Sequence, residues 1–282
     1  MCGAGSRRAA GELGDVGGEG LRGELEAFGH GQVGAPEVGD LAGGHAGLED
    51  VDAGGGEVAA FETAKRIRDA VQLPLIVDAD TGFGNAVNVY HTVRRLERAG
   101  ADCIQLEDQV APKRCGHFAG KEVISTEEMV GKIKAAVDAR QDANLLILAR
   151  TDACAVHGFE AALERAQRYA EAGADMLFVE AVTKIEEIRA LPQRLSTPQL
   201  MNMVIGGKTP ITDAGELADL GYGLVLYANA ALQGAVAGMQ KALGQLRNER
   251  RVDENPAVVA PFAERQRLVN KPFWDALEKK YE

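Results

Sequence analysis

The tetrapeptide Ala-Gly-Ala-Asp occurs twice, at Ala99–Asp102 and Ala172–Asp175, and each copy joins the same two patterns. Before it stands an amphipathic helical stretch, "VNVYHTVRRLER" in one case and "FEAALERAQRYAE" in the other. After it comes a short apolar run closing on an acid, "CIQLE" and "MLFVE". A looser copy is "DAGELADLGYGLVLYANA". Further units are "FETAKRIRDAV" with "LPLIVDADTGFGN", then "TEEMVGKIKAAVDARQDANLLILARTDA" and "TKIEEIRALPQRLSTPQLMNMVIGG". Helix, turn and apolar strand repeated with short connections predict parallel strands buried on both faces. Candidate strands fall near residues 75–79, 102–107, 145–150, 175–180, 200–204 and 224–228. Six such units fit a doubly wound sheet or a (β/α)8 barrel.

The strand ends separate these two. Asp78 and Asp80, Glu107 and Asp108, Arg150 and Asp152, Glu180, and Asn202 follow one another at the carboxyl ends of five successive strands. A doubly wound sheet concentrates its chemistry at one switch point, whereas a barrel gathers residues from many strand ends into one pocket. The pattern favours the barrel. At any single position the alternative is a polar turn residue.

Composition narrows the class. The chain of 282 residues is 46% hydrophobic and 26% charged, as in ordinary soluble globular proteins. It contains no apolar run long enough to predict a membrane span, and its first residues do not read as a secretory signal. Four cysteines (Cys2, Cys103, Cys115, Cys154) lie far apart, without CxxC spacing. That argues against a disulfide framework or zinc knuckle and suits a reducing cytoplasm. A net charge of −11 disfavours nucleic acid as a partner.

Residues 1–60 differ from the rest. They hold 18 of the 34 glycines, three arginines, no lysine and eleven acids. Such a segment buries little apolar surface and is expected to be disordered or poorly packed. Ordered patterning is expected from about Phe61. The domains predicted are this Gly/Ala/acid-rich segment, a β/α body over 61–247, and C-terminal helices over 248–282.

Asp78, Asp80 and Glu107 offer three hard oxygen donors on adjacent strand ends, a set suited to magnesium with retained waters. The plainer reading of "DADTG" is a turn in which Asp80 holds the next amides. Gly82 and Gly84 would let backbone approach a ligand closely. Arg150 suits a bidentate carboxylate clamp, or a buried ion pair with Glu107 or Glu180. Asn202 is a second donor to a carboxylate. In "QVAPKRCGHFAGKEV", Cys115 stands among Lys113, Arg114 and His117 on a loop whose backbone Gly116 and Gly120 would loosen. Those neighbours favour its thiolate and suit it to moving a proton near neutrality, although most lone cysteines are packing residues. Cys103 and Cys154 read as packing positions, and His157 as a surface residue.

"DADTGFGN", "IQLEDQ", "KRCGH", "ARTDA", "FVEA" and "NMVIGGKTP" occur in the order found in the isocitrate lyase / phosphoenolpyruvate mutase superfamily. The chain resembles that superfamily from roughly Phe61 to Glu282. "KRCGH" resembles its carbon–carbon lyases, because phosphonate-forming mutases generally replace the cysteine. Methylisocitrate and dimethylmalate lyases are the most similar branch.

The resemblance implies a (β/α)8 barrel, a homotetramer that swaps its last helix, and magnesium (or manganese) held by Asp78, Asp80 and Glu107. It implies that Cys115 protonates the carbanion left by cleavage. His117, Lys113, Arg114 and Gly116 would belong to the loop over the site, and Arg150, Glu180 and Asn202 would line the substrate pocket. The implied reaction is cleavage of a small anionic 2-hydroxy di- or tricarboxylate to an α-keto acid and a second carboxylate. Phosphonomutase or oxaloacetate-decarboxylase chemistry, or an inactive member, are the alternatives. Two departures stand out. Phe118 replaces the residue usual after "KRCGH", and nothing in residues 1–60 resembles the first two βα units of the superfamily.

Overall fold

A computed structural model describes residues 53–113, 120–210 and 213–282. The chain divides into two compact units, one ending at Ala228 and the other running from Asn229 to Glu282.

In the first unit, helix α1 (Ala53–Ala70) leads to β1 (Ile76–Asp78), α2 (Ala86–Arg98), β2 (Cys103–Glu107), α3 (Thr126–Ala139) and β3 (Leu146–Thr151). A short α4 (Ala153–His157) precedes α5 (Phe159–Glu171), β4 (Met176–Val179), α6 (Ile185–Arg194), β5 (Gln199–Asn202), α7 (Ala214–Leu220) and β6 (Leu224–Leu226). All six expected strands are present. The helix expected from Phe61 starts earlier, at Ala53, where Glu57 accepts from Arg95 Nη1 at 2.9 Å and ties the first turns to α2. The expectation of disorder over residues 1–52 lies outside the described residues.

The strands form one parallel sheet in the order β1-β2-β3-β4-β5-β6. A doubly wound sheet would reverse direction at a switch point. Here each strand pairs only with its neighbours in sequence, which is the winding of a β/α barrel. Among the described residues there are six strands, against eight in a complete barrel.

The repeated tetrapeptide has a specific task. Gly100 and Gly173 take φ of +94° and +105°, in the left-handed region that favours glycine. The aspartate that follows each one then faces back along the sheet. Asp102 Oδ2 accepts the Leu75 amide at 2.7 Å, and Asp175 Oδ2 accepts the Ile147 amide at 2.8 Å. Each also pairs with an arginine from the end of a preceding helix, Asp102 with Arg68 and Asp175 with Arg140. The motif therefore ties the start of one strand to its neighbour and to a helix end.

Period two in the strands divides the core. Ile104, Leu106, Ile147, Ala149, Leu177 and Met201 pack toward the helices. Cys103, Leu148, Met176, Phe178 and Leu200 form a second cluster on the opposite, inner face, joined by Ile76, Leu146, Leu224 and Leu226. Each fully buried Leu or Ile contributes about 1.5–3 kcal/mol, and with both faces apolar the strands show no polar alternation. Cys103 is buried in the inner cluster, Cys154 is half-buried and His157 is exposed, as expected.

The second unit comprises α8 (Ala230–Glu249), α9 (Phe262–Leu268) and α10 (Lys271–Tyr281). The long α8 groups with the two terminal helices. Among the described residues, no helix is long and apolar enough to cross a membrane.

Candidate active site

On each of β1 to β5 the last inward position is polar, and the inward residue before it is apolar except on β2, where it is Gln105. Asp78 follows Ile76, Glu107 follows Gln105, Arg150 follows Leu148, Glu180 follows Phe178 and Asn202 follows Leu200, always by two residues. Strand register sets Glu107 opposite Arg150. The fold thus brings together five of the residues predicted from sequence, at the carboxyl ends of β1 to β5.

Arg150 is the hub, and it is buried. Its Nε and Nη2 donate to Asp152 Oδ2 and Oδ1 at 3.0 and 3.2 Å. Its Nη1 lies 3.3 Å from Glu107 Oε2, and Nη2 lies 3.8 Å from Glu180 Oε2. The Phe178 ring sits under the guanidinium, with Cζ 5.1 Å from its centroid. Burial disfavours the charge, but Glu107, Glu180 and Asp152 outweigh it and hold the guanidinium protonated. Asn202 Nδ2 donates to Glu180 Oε2 at 3.4 Å, which links β5 to the hub. One expectation for Arg150 is met: it is ion-paired with Glu107 and Glu180, and its neighbours Phe178 and Glu180 line a cavity.

Glu107 is fully buried, and among the described residues neither of its oxygens accepts a hydrogen bond. Arg150 approaches within ion-pair range but off hydrogen-bond geometry. Burial pushes the Glu107 carboxyl up to about 8, against the pull of Arg150 and with some help from Asp78. Lys113 faces the same place, with Nζ 3.4 Å from Asp80 Oδ2, 3.7 Å from Glu107 Oε1 and 3.9 Å from Asp78 Oδ2. Burial works against its charge, but the three carboxylates prevail and raise its pKa.

In the Asp78–Asp80 turn the plainer reading of "DADTG" holds. Asp78 Oδ1 accepts the Asp80 amide at 2.9 Å and Asp80 Oδ1 accepts the Thr81 amide at 2.7 Å. That is the turn role. The second oxygen of each carboxylate faces Lys113. Asp80 itself takes φ of +56°, held by the Glu107 amide donating to its carbonyl at 2.9 Å. Buried Lys132 donates to the Thr81 carbonyl at 3.0 Å and braces the turn from α3.

The donor set fits a hard cation. A buried carboxylate that receives no hydrogen bond sits beside two partly exposed ones, so the local demand is for positive charge, which Lys113 meets in part. Among the described residues, no three His, Cys, Asp or Glu side chains are gathered into a ready-made metal cage. Magnesium does not require one, because it retains several waters.

Arg114, Cys115, Gly116 and His117 lie outside the described residues. The base of their loop is described. Gln109 and Val123 form an antiparallel bridge, Val110 donates to the Glu122 carbonyl at 2.9 Å, and Ile124 donates to the Asp108 carbonyl at 2.9 Å. Beyond the loop, buried Lys121 donates to Asp152 Oδ1 at 2.7 Å.

Sequence reading placed Asp108 and Asp152 in the strand-end series but gave neither a role, and it did not name Lys121, yet all three carry the arrangement. Asp152 had a usable signal, since it stands two residues beyond Arg150. Asp108 had little, because the strand period turns it away from its neighbour Glu107.

A cavity of about 330 Å³ opens beside the hub, with Phe178, Glu180, Asn202, Lys121 and Lys208 among its walls. A slightly larger one, about 360 Å³, lies at the amino ends of the strands around Arg68 and Asp102 and holds none of these residues. Catalysis in β/α barrels uses the carboxyl ends, so the cavity beside Arg150 is the relevant one.

The profile of the phosphoenolpyruvate phosphomutase family matches residues 44–247, starting ahead of Phe61. The 2,3-dimethylmalate lyase of Eubacterium barkeri is 49% identical over 186 residues, which are 66% of this chain and 64% of that protein. The 2-methylisocitrate lyase of Aeropyrum pernix is 52% identical over 180 residues, 64% of this chain and 58% of that protein. The chain thus matches somewhat under two thirds of the length of these relatives. Among solved structures, a trigonal crystal form of 2,3-dimethylmalate lyase superposes with a TM-score of 0.72 at 33% identity, over 80% of this chain and 75% of that one. Oxaloacetate acetylhydrolase in complex with 3,3-difluorooxalacetate gives 0.72 at 27% identity, over 93% and 87%.

Proposed function

The chain belongs to the phosphoenolpyruvate phosphomutase family, and from that premise we propose that it is a carbon–carbon lyase that cleaves a small branched 2-hydroxy di- or tricarboxylate. The observation that carries this reading is the identity of about half to relatives named as methylisocitrate and dimethylmalate lyases, over the region that contains the Arg150 hub. In the proposed reaction the substrate hydroxyl gives its proton to solvent, which later reprotonates the Cys115 thiolate, and its carbon becomes the carbonyl of an α-keto acid. The adjacent C–C bond breaks, and its electron pair leaves with the other fragment as an enolate-like carbanion.

Each residue then has a task. The Arg150 Nη groups, beside Glu107 and Glu180, steady negative charge on the keto-acid oxygens as it develops. Phe178 keeps water from the far face of the guanidinium. Glu180 and Asn202 fix the wall of the cavity, and Lys113 attracts the anionic substrate. Cys115, which lies outside the described residues, donates the proton that quenches the carbanion, with Arg114, Gly116 and His117 next to it in the sequence. Asp78, Asp80 and Glu107 would hold magnesium, which polarises a chelating carboxylate–hydroxyl pair when bound. A cytoplasmic homotetramer is part of the same proposal.

A second reading is supported by the likeness to oxaloacetate acetylhydrolase and to phosphonopyruvate hydrolase, the latter at 33% identity and a TM-score of 0.69. In that reading the same hub handles a shorter oxo acid. The test is release of pyruvate or glyoxylate from methylisocitrate and dimethylmalate, and of pyruvate or oxalate from oxaloacetate, each with and without magnesium. Release from a branched hydroxy acid supports the lyase. Turnover of oxaloacetate alone replaces it with the second reading, and no turnover of any of them removes both.

A further inference from the structure

We propose that Asp152 is the positioning residue of this site: it fixes the guanidinium of Arg150 from behind and is itself seated by Asp108. The inference rests on the lyase reading only for its kinetic arm.

Asp152 is fully buried just past the end of β3. It grips Arg150 side-on, through Nε at 3.0 Å and Nη2 at 3.2 Å. That grip commits the Nε edge of the fork and leaves Nη1 directed at Glu107, 3.3 Å away, with Nη2 turned toward Glu180 at 3.8 Å. A planar fork held at one edge presents the other in a single orientation. Without it, rotation about the terminal bonds would carry the guanidinium onto whichever acid is nearer. Lys121 shares Asp152 Oδ1 at 2.7 Å, so the carboxylate stays charged and in place.

Asp152 is fixed in turn. Its amide donates to Asp108 Oδ1 at 2.9 Å. Asp108 Oδ2 accepts from Thr151 Oγ1 at 2.7 Å, from the Tyr169 hydroxyl at 2.8 Å and from Arg165 Nη1 at 3.2 Å. The donors come from β3 and α5, so two elements converge on one buried carboxylate at the end of β2. Such a fully satisfied buried network specifies one arrangement.

The test uses the full chain and reads Arg150 directly. Its side-chain N–H resonances are identified by their loss in Arg150→Lys. In the parent protein the Nη signals are expected to be resolved, because rotation about the Nε–Cζ bond is slow. In Asp152→Asn they are expected to collapse into one averaged signal, and in Thr151→Val, which removes one donor to Asp108 and the acceptor of the Ala153 amide, to broaden. With an active substrate, Asp152→Asn is expected to lower kcat by about 10–100-fold, with KM moving less. A cooperatively folded Asp152→Asn with unchanged Arg150 signals overturns the proposal. If that variant does not fold, Thr151→Val decides: broadened Arg150 signals support positioning, and unchanged signals overturn it. A chain that turns over no candidate acid removes the lyase reading and leaves this resonance test standing.

Discussion

Arg150 Nη1 and Glu107 Oε2 lie 3.3 Å apart, in an ion pair whose side chains come from adjacent strands and are both buried. Removing one partner of a buried pair leaves an uncompensated charge, at a cost of about 3–5 kcal/mol. Arg150→Met is expected to destabilise the chain by that amount in urea denaturation. The double variant Arg150→Met/Glu107→Leu is expected to recover only the part of the loss due to Glu107, because Asp152 and Glu180 still lose their partner. A double variant less stable than the sum of the two single changes would contradict this account of the pair.

Asp152 sets part of the acid stability. Burial would raise its carboxyl above the ordinary value of 3.8, but Arg150 and Lys121 outweigh burial and hold it lower. The unfolded chain therefore takes up this proton first as pH falls. The stabilisation is present above the unfolded value of about 3.9 and is lost as pH drops through the folded one. Melting temperature is expected to fall below about pH 4, with a shallower fall in Asp152→Asn. Parallel curves for the two proteins would assign the acid sensitivity elsewhere.

The two Ala-Gly-Ala-Asp turns predict their own variants. Asp175 accepts the Ile147 amide and pairs with Arg140 at 2.7 Å. Asp175→Ala leaves that strand-initiating amide without its partner, a loss of about 1–3 kcal/mol. Equilibrium unfolding of the variant measures it, and a change smaller than a few tenths of a kcal/mol would mean that water replaces the carboxylate.

Loss of Cys115 separates binding from proton donation. Cys115→Ser is expected to abolish most lyase turnover while substrate still protects the chain against thermal unfolding. Unchanged turnover would remove the proton-donor role. Chelation of divalent metal is expected to stop turnover, with magnesium restoring it. Activity that survives chelation would instead leave Lys113 as the counter-ion of Asp78, Asp80 and Glu107.

Much of the fold was legible because its signals are local. The Gly100 and Gly173 turns, the apolar runs and the flanking helical periods depend on residues within a few positions of one another, so the six strands fall where the patterns place them. The start of α1 was not legible. Ala53–Ala60 reads as part of a glycine-rich tract, and its helical turns are tied down by Glu57 meeting Arg95, a contact far along the chain.

By itself the sequence determined the alternation of helix and parallel strand, and the polar residue that closes each strand, since both follow from short-range spacing and side-chain period. Only the tertiary structure decided which of those polar residues meet. Strand order and register set Glu107 against Arg150, while Asp108, one residue away, turned to the opposite face to collect Thr151, Arg165 and Tyr169. A carboxylate's role as hub, brace or cation site depends on which donors the fold carries to it, and those donors are distant in sequence.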